Sequence, residues 1–184
     1  LNAPNWIGIE IEINGENFDL AKCKSVSNFK RELNMKEGVY YRSFEAVLQN
    51  GVEIAAKITR FLSLDNDELG VINYDITFLN GDATIVFKPY VDAGVHNEDE
   101  KKKKKFWEPL DVKYDENQAF VTARTFKTHF IATTFMQNTI LVNGNSVKQN
   151  PSNVQITADK IQFSYEVKVV NNETVSFQKL GGYT

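Results

Sequence analysis

Apolar and polar residues alternate along most of this chain. Ile7, Ile9, Ile11 and Ile13 share one parity, with Glu10 and Glu12 on the other. Val52, Ile54, Ala56, Ile58 and Leu62 repeat the pattern, and Gly70, Ile72, Tyr74, Ile76 and Phe78 follow against Asn73, Asp75 and Thr77. Further on, Ile161, Phe163, Tyr165, Val167 and Val169 are opposed by Lys160, Gln162, Ser164, Glu166 and Lys168. Successive side chains of an extended strand point to opposite faces, so a sustained period of two predicts strands with one buried and one wet face. A wet face implies antiparallel pairing. The run from Val52 to Leu62 would extend roughly 35 Å at about 3.3 Å per residue. Long antiparallel strands in number predict an all-β fold, a large super-sandwich of two stacked sheets. Helix is scarce: Phe18 to Arg31 has room for a turn, and Val26 to Leu33 reads equally well as a strand.

The turns carry the same message. Asn-Gly occurs at Asn14-Gly15, Asn50-Gly51, Asn80-Gly81 and Asn143-Gly144, each time between alternating runs. A type I′ hairpin needs positive φ at both central residues, which Asn tolerates and Gly takes without strain. Four hairpins are therefore expected there, and Met35–Gly38 and Val170–Glu173 read as two more. One segment, Asp92 to Pro109, has no period. It holds an acidic block, the run Lys101–Lys105 and then Phe106-Trp107-Glu108-Pro109. It reads as a long excursion between strands, of a length that is usually functional or disordered.

At 184 residues and 42% apolar composition, the chain suits a single domain with a real core, residues 1–184 together. The net charge is -3 although five basic residues sit in one run, so nucleic acid and anionic membrane are not expected as main partners. No apolar stretch is long enough to span a bilayer. The start, Leu1-Asn2-Ala3-Pro4-Asn5-Trp6, has no initiator Met and no basic-then-apolar leader, so the chain reads as trimmed at its start, without a signal peptide. A single cysteine, Cys23, excludes an internal disulfide, and two histidines leave little for a metal centre. Low cysteine use fits a cytoplasmic or a bacterial periplasmic setting.

Candidate chemistry is thin. Glu98, Asp99, Glu100 and Glu108 are carboxylates in or beside the long loop, and paired carboxylates cleave glycosidic bonds when fixed on opposite sides of one. Here three of them read instead as a solvated acidic run. His96 has a side chain that titrates near neutrality, but no serine or cysteine nucleophile motif accompanies it. His129 falls in the apparent strand Lys127–Phe135 and reads as structural. Cys23 lies between Lys22 and Lys24, a setting that can lower a thiol pKa, though a surface thiol is the plainer reading. Trp6 reads as core. Trp107 is either core or an exposed ring that could stack on a sugar or anchor an interface.

Several segments, in order, resemble the amino-terminal domain of glycoside hydrolase family 65. They are Asn2–Ile9 with the Asn14-Gly15 turn and Phe18-Asp19-Leu20, then Arg31–Val39 as R-x-L-x-M-x-x-G, then Arg60–Leu64 and Tyr74–Thr77. Asn97-Glu98-Asp99 with Lys105–Glu108 resembles a variable loop of the kojibiose- and maltose-phosphorylase-like members. The resemblance implies a galactose mutarotase-like super-sandwich, here lacking the first strands of its amino-terminal edge. It implies a parent that phosphorolyses an α-glucosyl disaccharide, with inorganic phosphate as substrate and no cofactor, releasing β-glucose 1-phosphate. The acid and the phosphate site of such enzymes lie in a following (α/α)6 barrel. This chain shows no helical repeats, so no catalytic residue and no metal ligand is carried over, and the chain alone is expected to be inactive. The expected partners are that downstream barrel, a second copy in a homodimer, and a sugar ligand. By analogy His96, Asn97, Glu98, Asp99, Phe106, Trp107 and Glu108 form a loop at the substrate entrance. The alternative readings are a stand-alone carbohydrate-binding module built around Trp107 and a purely structural interaction domain.

Overall fold

The structure, a computed structural model, describes residues 2–96 and 105–184. In chain order the strands are β1 (Ile9–Ile13), β2 (Glu16–Asn17), β3 (Ser25–Asn34), β4 (Val39–Val47), β5 (Glu53–Leu62), β6 (Leu69–Phe78) and β7 (Ala83–Asp92). After the long segment come β8 (Trp107–Asp115), β9 (Gln118–Thr125), β10 (Ile131–Val142), β11 (Asn145–Val147), β12 (Asn153–Ile156), β13 (Lys160–Val169) and β14 (Thr174–Tyr183). The helical content of the described residues is one 3-10 turn, Leu20–Lys22, whose first N–H groups are capped by the Asp19 carboxylate through Ala21 N. Val26–Leu33 is strand.

All pairings are antiparallel, and they build two stacked sheets, as the alternation predicts. The smaller runs β12-β13-β7-β1-β2, and the larger runs β3-β4-β5-β6-β14-β10-β9-β8, with β11 paired to β10. Inner faces carry the apolar parity of each strand. Ile54, Ile76 and Phe78 of the large sheet and Ile85, Phe87 and Phe163 of the small one are fully buried. Each such side chain contributes about 1.5–3 kcal/mol through removal from water. Phe87 stacks on Phe177 with centroids 4.6 Å apart, which couples β7 to β14 across the core.

The turns only partly follow expectation. Asn14-Gly15 and Asn143-Gly144 have positive φ at both residues and close the β1–β2 and β10–β11 hairpins. At Asn50-Gly51 and Asn80-Gly81 only the glycine is left-handed. Asn80-Gly81 closes no hairpin, because β6 and β7 belong to different sheets. Val170–Glu173 likewise carries the chain from β13 in the small sheet to β14 in the large one. The side chains explain the difference. Asn80 accepts from Glu53 N at 2.7 Å and donates to Gly51 O at 2.9 Å, so it ties one turn to its neighbour. The two crossings also bind each other, Gly81 N donating to Asn171 Oδ1 at 3.1 Å and Asn171 N to Asp82 Oδ1 at 3.2 Å. His129 corrects a further expectation: it lies in the β9–β10 turn, exposed and at φ 54, and β10 begins only at Ile131.

Two features fix the entry segment to the sandwich. Trp6 is buried in a slot made by two glycines: a Cβ on Gly70 would lie 2.4 Å from the indole, and one on Gly181 2.7 Å from it. Lys179, on the inner face of β14, is fully buried. Its Nζ donates to Gly8 O at 2.9 Å and Tyr90 O at 2.8 Å, so one amine joins the large sheet to β7 and the residues before β1. Burial pushes its pKa well below the usual lysine value. The outer borders of the large sheet are β3 and β8, and each carries a register shift, between Ser27 and Lys30 and between Pro109 and Asp111.

Candidate functional site

The structure divides the sequence-predicted loop residues. Asn97, Glu98 and Asp99 lie outside the described residues, as do Glu100 and Lys101 to Lys104. On their flanks His96 and Lys105 face each other in an isolated antiparallel bridge. His96 is exposed, and its carbonyl accepts from Asn2 Nδ2 at 2.7 Å. Lys105 pairs with Asp159 at 2.5 Å, and this ammonium holds the Asp159 carboxyl below its usual pKa. Phe106 is half-buried against the core, and its carbonyl accepts from Phe126 N at 3.1 Å.

The irregular segment is shorter than its sequence suggests, because Trp107, Glu108 and Pro109 already belong to β8. Strand geometry then separates two of the candidates. Trp107 and Glu108 are adjacent, so they point to opposite faces. Trp107 turns inward and is only 5% exposed. Its indole N–H donates to Asn2 O at 2.8 Å, so the ring packs in the core and pins the chain start. That corrects the reading of Trp107 as a free stacking platform. Glu108 turns outward to Arg124 on β9, receiving Nη2 at 2.7 Å and Nε at 3.1 Å from one guanidinium. Both bonds fall on Oε2, in a pair at the part-exposed sheet surface.

Around the inner edge of Trp107 lies a mainly apolar cavity of about 540 Å³, with Pro4, Phe130, Ala132 and Tyr183 in its wall and Glu68 at its rim. Tyr183, Thr125 and Thr128 in its wall are already engaged. Tyr183 Oη donates to Pro4 O at 2.7 Å, the Thr125 and Thr128 hydroxyls share a hydrogen bond at 2.6 Å, and Thr125 Oγ1 accepts from Phe130 N at 3.0 Å. Phe126, Phe130 and Ile131 are exposed beside it. Burial raises the Tyr183 phenol above its usual pKa. At Cys23 burial, then the Asp19 carboxylate, pushes the thiol pKa up, against the weaker reading of a thiol activated by Lys22 and Lys24. Among the described residues no three His, Cys, Asp or Glu side chains converge to hold a metal ion. This end of the molecule offers an apolar seat and structural hydrogen bonds.

Sequence reasoning did not single out Lys179 or the arginines Arg42 and Arg60, whose Nε atoms are buried without an acceptor among the described residues. The inward parity of Val175, Phe177, Lys179 and Gly181 was the available signal for the former, since a lysine on a buried parity demands acceptors.

Comparison with known proteins places this geometry. The family profile described as "Glycosyl hydrolase family 65, N-terminal domain" matches residues 1–184. The chain is 36% identical over 130 residues to the maltose phosphorylase of Bacillus subtilis, covering 71% of this chain and 17% of that protein. It is 26% identical over 181 residues to the kojibiose phosphorylase of Halothermothrix orenii, covering 97% of this chain and 22% of that protein. The chain thus spans about a fifth of the length of these relatives. The solved structure of a "Putative kojibiose phosphorylase from human microbiome" superposes with a TM-score of 0.84 at 21% identity, over 100% of this chain and 22% of that one. It shares the fold.

Proposed function

Since the chain belongs to glycosyl hydrolase family 65, as its N-terminal domain, we propose that it is the non-catalytic β-sandwich of a disaccharide phosphorylase. In this reading the parent transfers a glucosyl group from an α-linked disaccharide to inorganic phosphate, releasing β-glucose 1-phosphate, and the chemistry resides in a helical barrel beyond this domain. The observation that carries it is the division of the candidate loop. Trp107 is spent on the core and on Asn2, and Glu108 pairs with Arg124 on the opposite face, so the two do not converge on one substrate. The relatives it resembles are phosphorylases of maltose and kojibiose, which supports the substrate class.

The apolar seat formed by Pro4, Phe130 and Tyr183, with Phe126 and Ile131 exposed beside it, is the face we assign to contact with the rest of the parent. In this reading His96 and Lys105 flank the substrate entrance of the parent, and two parents pair as a homodimer. The test is phosphorolysis of maltose, kojibiose and trehalose. The chain alone should release no glucose 1-phosphate above a buffer blank, whereas the parent should. Release by the chain alone would overturn the proposal. Saturable binding of these sugars to the chain in calorimetry would favour the carbohydrate-binding module instead.

A further inference from the structure

The ladder between β14 and β10 ends before β10 does. β14 lies between β6 and β10, and its register on β10 runs from Val142, opposite Val175, to Thr134, opposite Tyr183. Thr184 keeps that register: its N–H donates to Thr133 O at 2.9 Å, and its carbonyl accepts from Thr133 N at 2.8 Å. β10 itself reaches back to Ile131, where it pairs with Arg124 of β9. Consecutive residues of an antiparallel strand bond to alternate sides. Thr133 bonds toward β14, and Phe130 O bonds toward β9, accepting from Thr125 N at 2.9 Å. The N–H and C=O of Ile131 therefore face the β14 side, where no described strand residue is registered opposite them.

Strand parity says where further side chains would go. Val175 and Phe177 of β14 and Ala132 and Thr134 of β10 are buried on the inner face, and Tyr183 shares that parity, its hydroxyl donating to Pro4 O. In a longer chain the residue directly after Thr184 would stand opposite Ala132 and point inward, and the third would point inward opposite Phe130. The apolar cavity of about 540 Å³ lies there, with Tyr183, Thr184, Ala132 and Phe130 in its wall beside Pro4 and Trp107. The residue between those two would point outward, and its backbone would meet the N–H and C=O of Ile131. Phe130 and Ile131, exposed at 64% and 56%, are the side chains such a strand would flank. The Thr125, Thr128 and Tyr183 hydroxyls are already bonded within the wall, so the seat suits hydrocarbon rather than a polyol.

We propose that the parent's polypeptide directly after Thr184 extends β14 along β10 past Ile131 and seats its first and third side chains, both apolar, in this cavity. The inference rests on the reading of this chain as the N-terminal domain of a longer phosphorylase, since it spans about a fifth of its relatives. The test is disulfide trapping in the parent, with cysteine in place of the residue after Thr184 combined with Ala132→Cys. These two positions form a non-hydrogen-bonded pair, whose Cα atoms sit about 4.5 Å apart, within disulfide reach. Under mild oxidation the cross-link should form at least tenfold faster than with Ile131→Cys as the partner, because Ile131 points to the other face. Equal rates, or no cross-link at Ala132, would overturn the proposal. Should the cysteine variants fail to fold, hydrogen exchange on the unmutated proteins decides it. The Ile131 amide should exchange at least tenfold more slowly in the parent than in this chain alone, and equal rates would refute the extension. Both readouts are independent of catalysis. A parent that phosphorolyses maltose without either signal loses the strand extension alone, and one that gives both signals without phosphorolysis loses only the functional reading.

Discussion

Replacing Lys179 by Met removes the buried amine and keeps a side chain of similar length. The change deletes two donors, to Gly8 O and Tyr90 O, each contributing about 0.5–1.5 kcal/mol. Gly8 O keeps one partner, since Tyr90 N also donates to it at 3.1 Å. The expected loss where the amine is neutral is therefore about 2 kcal/mol, or about 4–8 °C in Tm for a chain of this size. The pH dependence gives the sharper signal. Burial depresses the Lys179 pKa in the folded state, so between that value and the unfolded value of about 10.4 the unfolded chain binds the extra proton. Stability from this group is fully present above about pH 10.4 and is lost as pH falls through the folded pKa, at up to about 1.4 kcal/mol per pH unit. The methionine variant has no such group. The stability difference between the two proteins, from urea melts at pH 7 to 10.5, should grow in favour of the wild type as pH rises. A difference that stays flat over that range would refute the assignment of Lys179 as a desolvated inter-sheet donor.

Trp107→Ala should lower stability by about 3–5 kcal/mol and expose the segment before Trp6 to protease, because Asn2 loses its indole partner. A variant with unchanged Tm would return Trp107 to the role of a free ring. Gly181→Ala should cost about 1–3 kcal/mol by overpacking, since the new Cβ would sit 2.7 Å from the Trp6 ring and 2.8 Å from Phe135 O. A thermal melt matching the wild type would show that the Trp6 slot yields.

Much of the fold is legible in the chain because inward and outward positions follow strand parity so closely. Ile72, Ile76 and Phe78, or Ile161 and Phe163, could be placed from spacing alone. The turn chemistry misled where Asn-Gly served a crossing rather than a hairpin. Dipeptide signals report a tight reversal, but not whether the next strand pairs with the last or moves to the opposite layer, which depends on distant partners such as Asn171. The placement of Trp107 was beyond local pattern for a related reason. Whether Trp107 is a platform or core depends on its partner Asn2, 105 positions away in sequence, and no local pattern encodes that distance.

The irregularities at Ser27–Lys30 and Pro109–Asp111 have a consequence for molecules in crowded solution. A sheet this broad ends in two unpaired borders, and a neighbour's strand could in principle extend either one indefinitely. Such growth needs donors and acceptors that stay in step over many residues. On β3 the step is broken near Asn28, which sits at φ 52, and on β8 Pro109 has no N–H to offer. A second molecule laid along either border falls out of phase within a few residues, so the sheet stops at its own width and polymerisation through these borders is blocked.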